Sequence, residues 1–257
     1  MIKTKSQKEI EMMHEGGKIL AKILKELSVA VEPGITTKEL DKLAGELVFK
    51  FGIKPAFLNY GGFPAVLCTS VNEEIVHGVP SDRKLKEGDV LKLDMGVFYK
   101  GFHTDSAVTV LVSNSSKLSR IFKLDYSRKL KLILVTRKAL ELGIKEARIG
   151  NKIGDIGSAI QKYVEGEGLN LVRDLVGHGI GKELHEDPQV PNYGKRGTGP
   201  ELVEGMVIAI EPMVVVGDWA IKEGKNGFVF QTKDGGLAAH CEHTIAITEK
   251  GPLILTQ

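Results

Sequence analysis

The sequence predicts an α+β protein of two structurally equivalent halves, each made of helices followed by a strand hairpin. Three observations predict it. Apolar residues recur at helical spacing in two places before a strand-like stretch and in two more after it. Val90 to Val112 alternates like a β-hairpin turning near Lys100-Gly101. A weak repeat then relates the two parts: Gly34 and Gly52 recur at Gly150 and Gly168 with an offset of 116, and Gly88 and Asp94 recur at Gly205 and Glu211 with an offset of 117. Glycine matches alone mean little. Carboxylates falling on nearly the same offset give the repeat its weight.

The elements follow in order. Ile10, Met13, Gly17, Leu20, Ile23, Leu24 and Leu27 mark an amphipathic helix over residues 8–27. After Pro33-Gly34, Thr36 or Thr37 caps a second helix carrying Leu40, Leu43, Leu47 and Val48. Residues 64–80 read as strand and loop, ahead of the hairpin. Helical patterns return over 117–142 and 152–166, and the last fifty residues read as strands separated by turns at Glu223-Gly224 and Asp234-Gly235-Gly236. No linker or low-complexity segment divides the 257 residues, so one domain is expected, with halves at about 1–112 and 132–257.

Composition excludes several classes. The chain is 42% hydrophobic and 26% charged with a formal net charge of +2, which is ordinary for a soluble globular protein and gives no general argument for nucleic acid. Two cysteines, Cys68 and Cys241, offer neither a disulfide framework nor zinc-ribbon spacing. The start runs into Glu9 and Glu11 without an apolar core for a signal peptide, and no stretch is apolar for long enough to span a bilayer. A cytoplasmic protein without membrane partners is the expectation.

The chemistry concentrates in Asp94, Asp105, His178, Glu211 and Glu242. Each lies in or beside an apolar strand-like or glycine-rich stretch, where a charge is costly unless it is paired or binds metal. Four carboxylates and one imidazole are a hard donor set, suggesting divalent metal and, from the number of oxygens, two ions. A two-residue hairpin turn puts Asp105 opposite Asp94 or one diagonal step away on the same sheet face, and a three-residue turn reverses that parity. Taken alone, the pair also fits one buried and one solvated aspartate. His178 falls in what reads as a glycine-rich loop, Val176 to Gly181, with His185 seven residues on. His77 lies in the apolar stretch Ile75–Pro80. His14 is expected on a helix surface, while His103, His240 and His243 flank strand carboxylates and are left open.

These residues assemble a recognisable pattern. Asn72-Glu73 before His77-Gly78-Val79-Pro80, Leu93-Asp94 with Asp105 eleven residues on, Gly177-His178-Gly179-Ile180-Gly181 with His185-Glu186-Asp187-Pro188, Ile210-Glu211-Pro212 and Glu242-His243-Thr244 occur in one order. The chain resembles the type I methionine aminopeptidases over nearly its whole length. That resemblance implies the pita-bread fold, with an antiparallel sheet core and outer helices. It also implies hydrolytic removal of the N-terminal methionine of nascent polypeptides. By similarity, Asp94 and Asp105 hold one ion, while Asp105 and Glu242 bridge to a second held by His178 and Glu211, the metal being Co, Mn, Fe or Zn. Glu211 carries the proton, His185 stabilises the tetrahedral intermediate and His77 contacts the substrate. The methionine pocket is carried over onto Phe57, Tyr60, Phe63, Cys68 and Trp219. Phe57, Phe63 and Leu184 stand where relatives often have cysteine, tyrosine and phenylalanine.

A second departure is a longer segment around residues 113–131. Residues 117–138 hold eight Lys or Arg against one acid, Asp125. This is either a solvated helix face or a surface for docking on ribosomal RNA. Rival readings are an X-Pro aminopeptidase or prolidase, whose members usually carry an additional N-terminal domain, and a pita-bread binding protein without catalysis. A type II enzyme would carry a helical insertion between His185 and Glu211, where only a short Pro/Gly-rich stretch lies. A monomer is expected.

Overall fold

A computed structural model of the chain describes residues 2–113 and 122–257. Helix α1 runs from Gln7 to Ala30, three residues longer than the periodicity suggested at its C-terminal end, and begins on a capping box between Ser6 and Glu9. Helix α2 (Thr37–Lys50) begins on the same device, with Thr36 rather than Thr37 as cap and Glu39 as its partner. Helix α3 covers Phe122–Glu146 and α4 covers Ile153–Gly166. The first five residues of the helical pattern at 117–142, with Lys117 and Arg120 of the basic run, lie outside the described residues. Within that run Lys131 pairs with Glu167 and Lys138 with Glu141, as on a solvated helix face. Among the described residues no helix is long and apolar enough to cross a membrane.

The repeat has a physical counterpart in these helices. Helices α2 and α4 have the same length, and Glu39 and Asp155 occupy the same position three residues after their N-caps. Gly88 and Gly205, which launch the strands leading to Asp94 and Glu211, adopt matching left-handed conformations with φ of 83° and 81°. That backbone is open to glycine at little cost.

A curved, largely antiparallel sheet forms the centre. In spatial order its path runs Lys54–Pro55, Val90–Tyr99, Phe102–Leu111, Glu242–Thr248, Val207–Ile210, Gly177–Gly179 and Glu186–Val190. Cys68–Val71 also pairs with Val90–Tyr99, and Gly251–Ile254 with Glu242–Thr248. Helices α1 and α2 bury Leu20, Ile23, Leu40 and Leu47 with Leu91, Leu93 and Met95 of the first hairpin. Helices α3 and α4 bury Leu140, Ile144, Ile156 and Ile160 with Ile208, Ile210 and Ile245. Each half therefore keeps its apolar core on its helix side, leaving other strand positions free to carry charge.

The two halves meet where Phe102–Leu111 lies beside Glu242–Thr248, and only two residue pairs are in ladder register there, Glu242 with Ala107 and His243 with Ser106. Hydroxyls replace the missing ladder. The Thr244 hydroxyl accepts from the Asp105 amide at 2.9 Å and donates to the Asp105 carbonyl at 2.8 Å. Thr109 Oγ1 donates to the His240 carbonyl and accepts from the His240 amide. Lys92 adds a further clip: its side chain is fully buried, and its ammonium donates to the carbonyls of Asn72, Val90 and Ala238 at 2.9, 3.3 and 3.1 Å.

The second half departs from the expected hairpin. Val207–Ile210 pairs with Glu242–Thr248, and beyond Glu211-Pro212 the same register resumes as Met213–Val215 with Ala238–His240. Pro212, which lacks an amide, only interrupts the ladder, and a long excursion instead of a turn joins the two arms. Met213–Val215 also pairs with Asn170–Leu171, and the excursion supplies Ile221–Glu223 and Phe230–Thr232, which form a second small sheet with Glu74–Val76. Glu211 consequently sits just beyond a strand end, whereas its counterpart Asp94 is in mid-strand.

Candidate metal centre and substrate pocket

Hairpin register decides the first two carboxylates. Phe98 pairs with His103 and Tyr99 with Phe102 around the two-residue turn Lys100-Gly101, so Asp94 faces Ala107 and Asp105 faces Gly96. Asp105 is thus one diagonal step from Asp94 on the same face. Asp94 and Asp105 are 7% and 4% exposed, and each leaves its Oδ1 buried without a hydrogen-bond partner. Across the seam, Glu242 is 2% exposed and in register with Ala107, the residue that also faces Asp94.

His178 lies not in a loop but in the short strand Gly177–Gly179, between Val207–Ile210 and Glu186–Val190. The glycines that suggested a loop serve strand packing instead. A Cβ on Gly177 would collide with the Ala209 carbonyl, and one on Gly179 with the Asp187 carbonyl. His178 Nδ1 lies 2.8 Å from the Gly179 carbonyl, which can only accept, so Nδ1 carries the proton. The lone pair is therefore on Nε2, 3.8 Å from Glu211 Oε1. One ligand atom each of Asp105, His178 and Glu242 can be chosen so that all lie within 4.8 Å of one another.

Electrostatics describe a site built around positive charge. Burial, then the neighbouring Asp105 and Glu211, pushes Asp94 well above the usual carboxylate range, and burial with Asp105 does the same to Glu242. Burial first and Glu211 second push Asp105 up to about 8, and burial pushes Glu211 up to about 8. Burial brings His178 down to about 4, leaving a neutral imidazole at neutral pH. Unpartnered carboxylate oxygens and a correctly tautomerised imidazole fit a divalent cation, with oxygen donors predominating. His240, left open by the sequence, is 1% exposed and sets Nε2 3.5 Å from Glu211 Oε2, behind that carboxylate.

Above the carboxylates lies a cavity of about 220 Å³. Its polar floor is Asp94, Asp105, Glu211 and Glu242, and its apolar wall includes Phe57, Phe63, Cys68, Leu184 and Phe228. Gly96, the partner of Asp105, explains how an aromatic reaches the floor: a Cβ there would lie 2.8 Å from the Phe57 ring. Phe63 and Phe228 meet edge to face with centroids 5.5 Å apart. Tyr60 closes the rim, its hydroxyl 2.7 Å from His185 Nδ1. The His185 ring is also 4.3 Å from that of His178. His77 borders the cavity in a left-handed conformation, φ 58°, with its ring against Phe230. A side chain held in that conformation suggests a constraint of function.

Trp219 is a correction. It is absent from the cavity lining and stands 39% exposed, with the Arg173 guanidinium 5.3 Å from its ring centroid. Phe228 is there instead. The signal was present in the turn Asn226-Gly227, whose Asn226 side chain accepts from the amides of Phe228 and Val229 and turns the following chain back toward the first half. A second, wider cavity shares His77, His178, His185 and Glu211 and continues past Gln189 and Met213, giving an extended chain a way out.

Comparison with known proteins follows this geometry. The model of metallopeptidase family M24 matches residues 11–249. A methionine aminopeptidase of Clostridium acetobutylicum is 48% identical, covering 100% of this chain and 99% of that protein, and methionine aminopeptidase 1 of Bacillus subtilis is 46% identical with full coverage of both. The chain belongs to the methionine aminopeptidases of metallopeptidase family M24. The crystal structure of the methionine aminopeptidase of Thermotoga maritima superposes with a TM-score of 0.93 at 45% identity, with 100% of both chains covered. The prolidase of Pyrococcus horikoshii reaches a TM-score of 0.76 at 23% identity over 99% of this chain and 63% of its own, which shows the shared pita-bread fold alone. Membership of M24, together with the Asp105, His178 and Glu242 group, identifies a methionine aminopeptidase that uses divalent metal.

Proposed function

We infer that the chain hydrolyses the N-terminal methionine from peptides and nascent proteins, favouring a small second residue, with two divalent ions at its centre. The observation that carries this is the joining of an apolar cavity to a buried carboxylate floor, with an open channel leaving from the same histidines. An unbranched thioether suits a wall of aromatics and Cys68. The free α-amino group of a chain end suits the anionic floor, which accounts for an exopeptidase.

Asp94 and Asp105 would hold one ion; Asp105 and Glu242 would reach the second, with His178 and Glu211. Bound divalent ions supply Lewis acidity to the scissile carbonyl and to the attacking water. Mn²⁺, Fe²⁺ and Co²⁺ match this oxygen-rich set better than Zn²⁺. Glu211 takes the proton of the attacking water and delivers it to the departing amine. His240, neutral and buried, lies behind Glu211 with its Nε2 3.5 Å from Oε2. His185, oriented by the Tyr60 hydroxyl, donates to the carbonyl oxygen as negative charge develops. His77, also at the border of the cavity, holds the amide that leaves.

Metal-loaded protein should release methionine from Met-Gly-Met-Met, lose that activity in chelator and regain it with added divalent ion. Cleavage of Xaa-Pro peptides alone, or activity indifferent to chelator, would overturn the reading. The pocket assignment is tested separately. Phe228→Ala removes an aromatic wall and should raise KM about tenfold, equivalent to about 1.4 kcal/mol of lost binding. Trp219→Ala should leave KM within about twofold by the same scale. A reversed order in steady-state kinetics would return Trp219 to the pocket.

A further inference from the structure

Lys5 and Glu186 form an ion pair that the reaction as described does not use. The Lys5 Nζ to Glu186 Oε2 distance is 2.7 Å, and both side chains are 5% exposed. A buried pair of this kind is expensive to desolvate and adds little net stability on its own, so its location calls for another explanation. That location is the base of the loop 181–185, immediately beside His185.

The pair is fixed from both sides. The Lys5 amide donates to the Gly205 carbonyl at 2.7 Å, tying the segment before α1 to the turn that launches the strand ending at Glu211. The Lys5 ammonium also donates to the Lys3 carbonyl at 3.2 Å. The second carboxylate oxygen, Glu186 Oε1, accepts from the Glu183 amide at 3.2 Å, inside the loop itself. Gly181 is the seat: a Cβ there would lie 2.8 Å from Lys5 Nζ and 2.9 Å from Glu186 Oε1. Gly181 is in turn held by the His103 amide, which donates to its carbonyl at 2.7 Å.

We propose that Lys5 is a positioning residue for His185: through the buried Glu186 carboxylate it fixes the loop that sets the imidazole between Tyr60 and His178. The inference rests on the role assigned to His185 above. Removing the ammonium leaves a buried carboxylate without its cation next to the loop end. The loop then relaxes toward water and carries the ring away from Tyr60. Misplacement by about 1 Å is enough to cost up to ~10²-fold in rate.

The test is a double-mutant cycle on metal-loaded protein with Met-Gly-Met-Met, together with the ¹H–¹⁵N ring resonances of His185. Lys5→Met and Glu186→Gln should each lower kcat about tenfold with KM within about twofold, inside the range that misplacement allows. Both should shift the His185 ring resonances. In a His185→Ala background, adding Lys5→Met should cost nothing further. An equal loss in that background would mean a general structural effect and would overturn the proposal, as would unchanged kcat or unchanged His185 resonances in Lys5→Met. Full activity of His185→Ala alone would instead remove the role of His185 itself, a failure distinguishable from that of the ion pair. Should Lys5→Met not fold, as judged by its thermal melt, the near-isosteric Glu186→Gln carries the same cycle.

Discussion

Asp105→Ala should abolish turnover and metal loading together. Asp105 is the donor best placed to be shared: it lies one diagonal step from Asp94 across the hairpin and groups with His178 and Glu242 across the seam. Its own amide and carbonyl are clamped by Thr244, which fixes the backbone that carries it. We expect kcat/KM to fall by at least ~10³-fold, the scale of losing an electrophile that stabilises developing charge. Metal analysis of the purified variant should return less than one ion per chain. Retained turnover at normal metal content would refute Asp105 as a ligand. Because the side chain removed is a buried carboxyl crowded by other carboxyls, the metal-free variant should also melt higher than the metal-free parent.

The second large effect concerns pH. Asp105 and Glu211 are both pushed up to about 8, chiefly by burial, and Asp94 and Glu242 are also raised. A carboxyl with a raised folded pKa keeps a proton in the native state that the unfolded chain has already lost. The contribution of these carboxyls to the stability of the metal-free protein therefore falls as pH rises from the ordinary carboxylate range, near ~4, towards 8. One pKa unit corresponds to about 1.4 kcal/mol, and each kcal/mol moves the melting point of a chain this size by about 2–4 °C. Below about pH 6.5 the buried neutral His77, His178, His240 and His243 act in the opposite sense, so the carboxyl effect stands alone above it. Chelator-treated protein should accordingly melt at least ~3 °C lower at pH 8 than at pH 7. Saturation with divalent ion should narrow or reverse the difference, because ligation favours the deprotonated cage. A melting point that rises with pH in the chelated protein would show that the four carboxylates do not share one buried site.

What could be read in the sequence was whatever local periodicity and turn chemistry control. The threonine cap at 36 or 37, the Lys100-Gly101 turn and hence the shared face of Asp94 and Asp105 all follow from a few neighbouring residues. His178, Glu211 and Glu242 stand out by their apolar or glycine-rich surroundings, and the resemblance adds the role of each. Three features escaped because they depend on contacts made only in the folded chain. His178 reads as a loop residue because Gly177 and Gly179 look like flexibility, whereas their missing Cβ atoms admit the carbonyls of Ala209 and Asp187. The second hairpin is interrupted by an excursion whose return partner, Glu242–Thr248, cannot be found by alternation alone. Trp219 enters the pocket only through the resemblance, while Phe228 is delivered to the cavity by the Asn226 turn.

Lys92 bears on how the molecule comes together. Two of its three carbonyl acceptors, on Asn72 and Val90, belong to the first half, and the third, on Ala238, lies 146 residues away. While the second half is absent, that ammonium must keep water for company, and the strand bearing Asp94 cannot become fully dry. Arrival of the Ala238–His240 strand expels that water, completes the ammonium's coordination and brings His240 up behind Glu211 in the same event. The acidic cage is complete only when both halves are in place, so a partly synthesised chain carries an incomplete trap for metal.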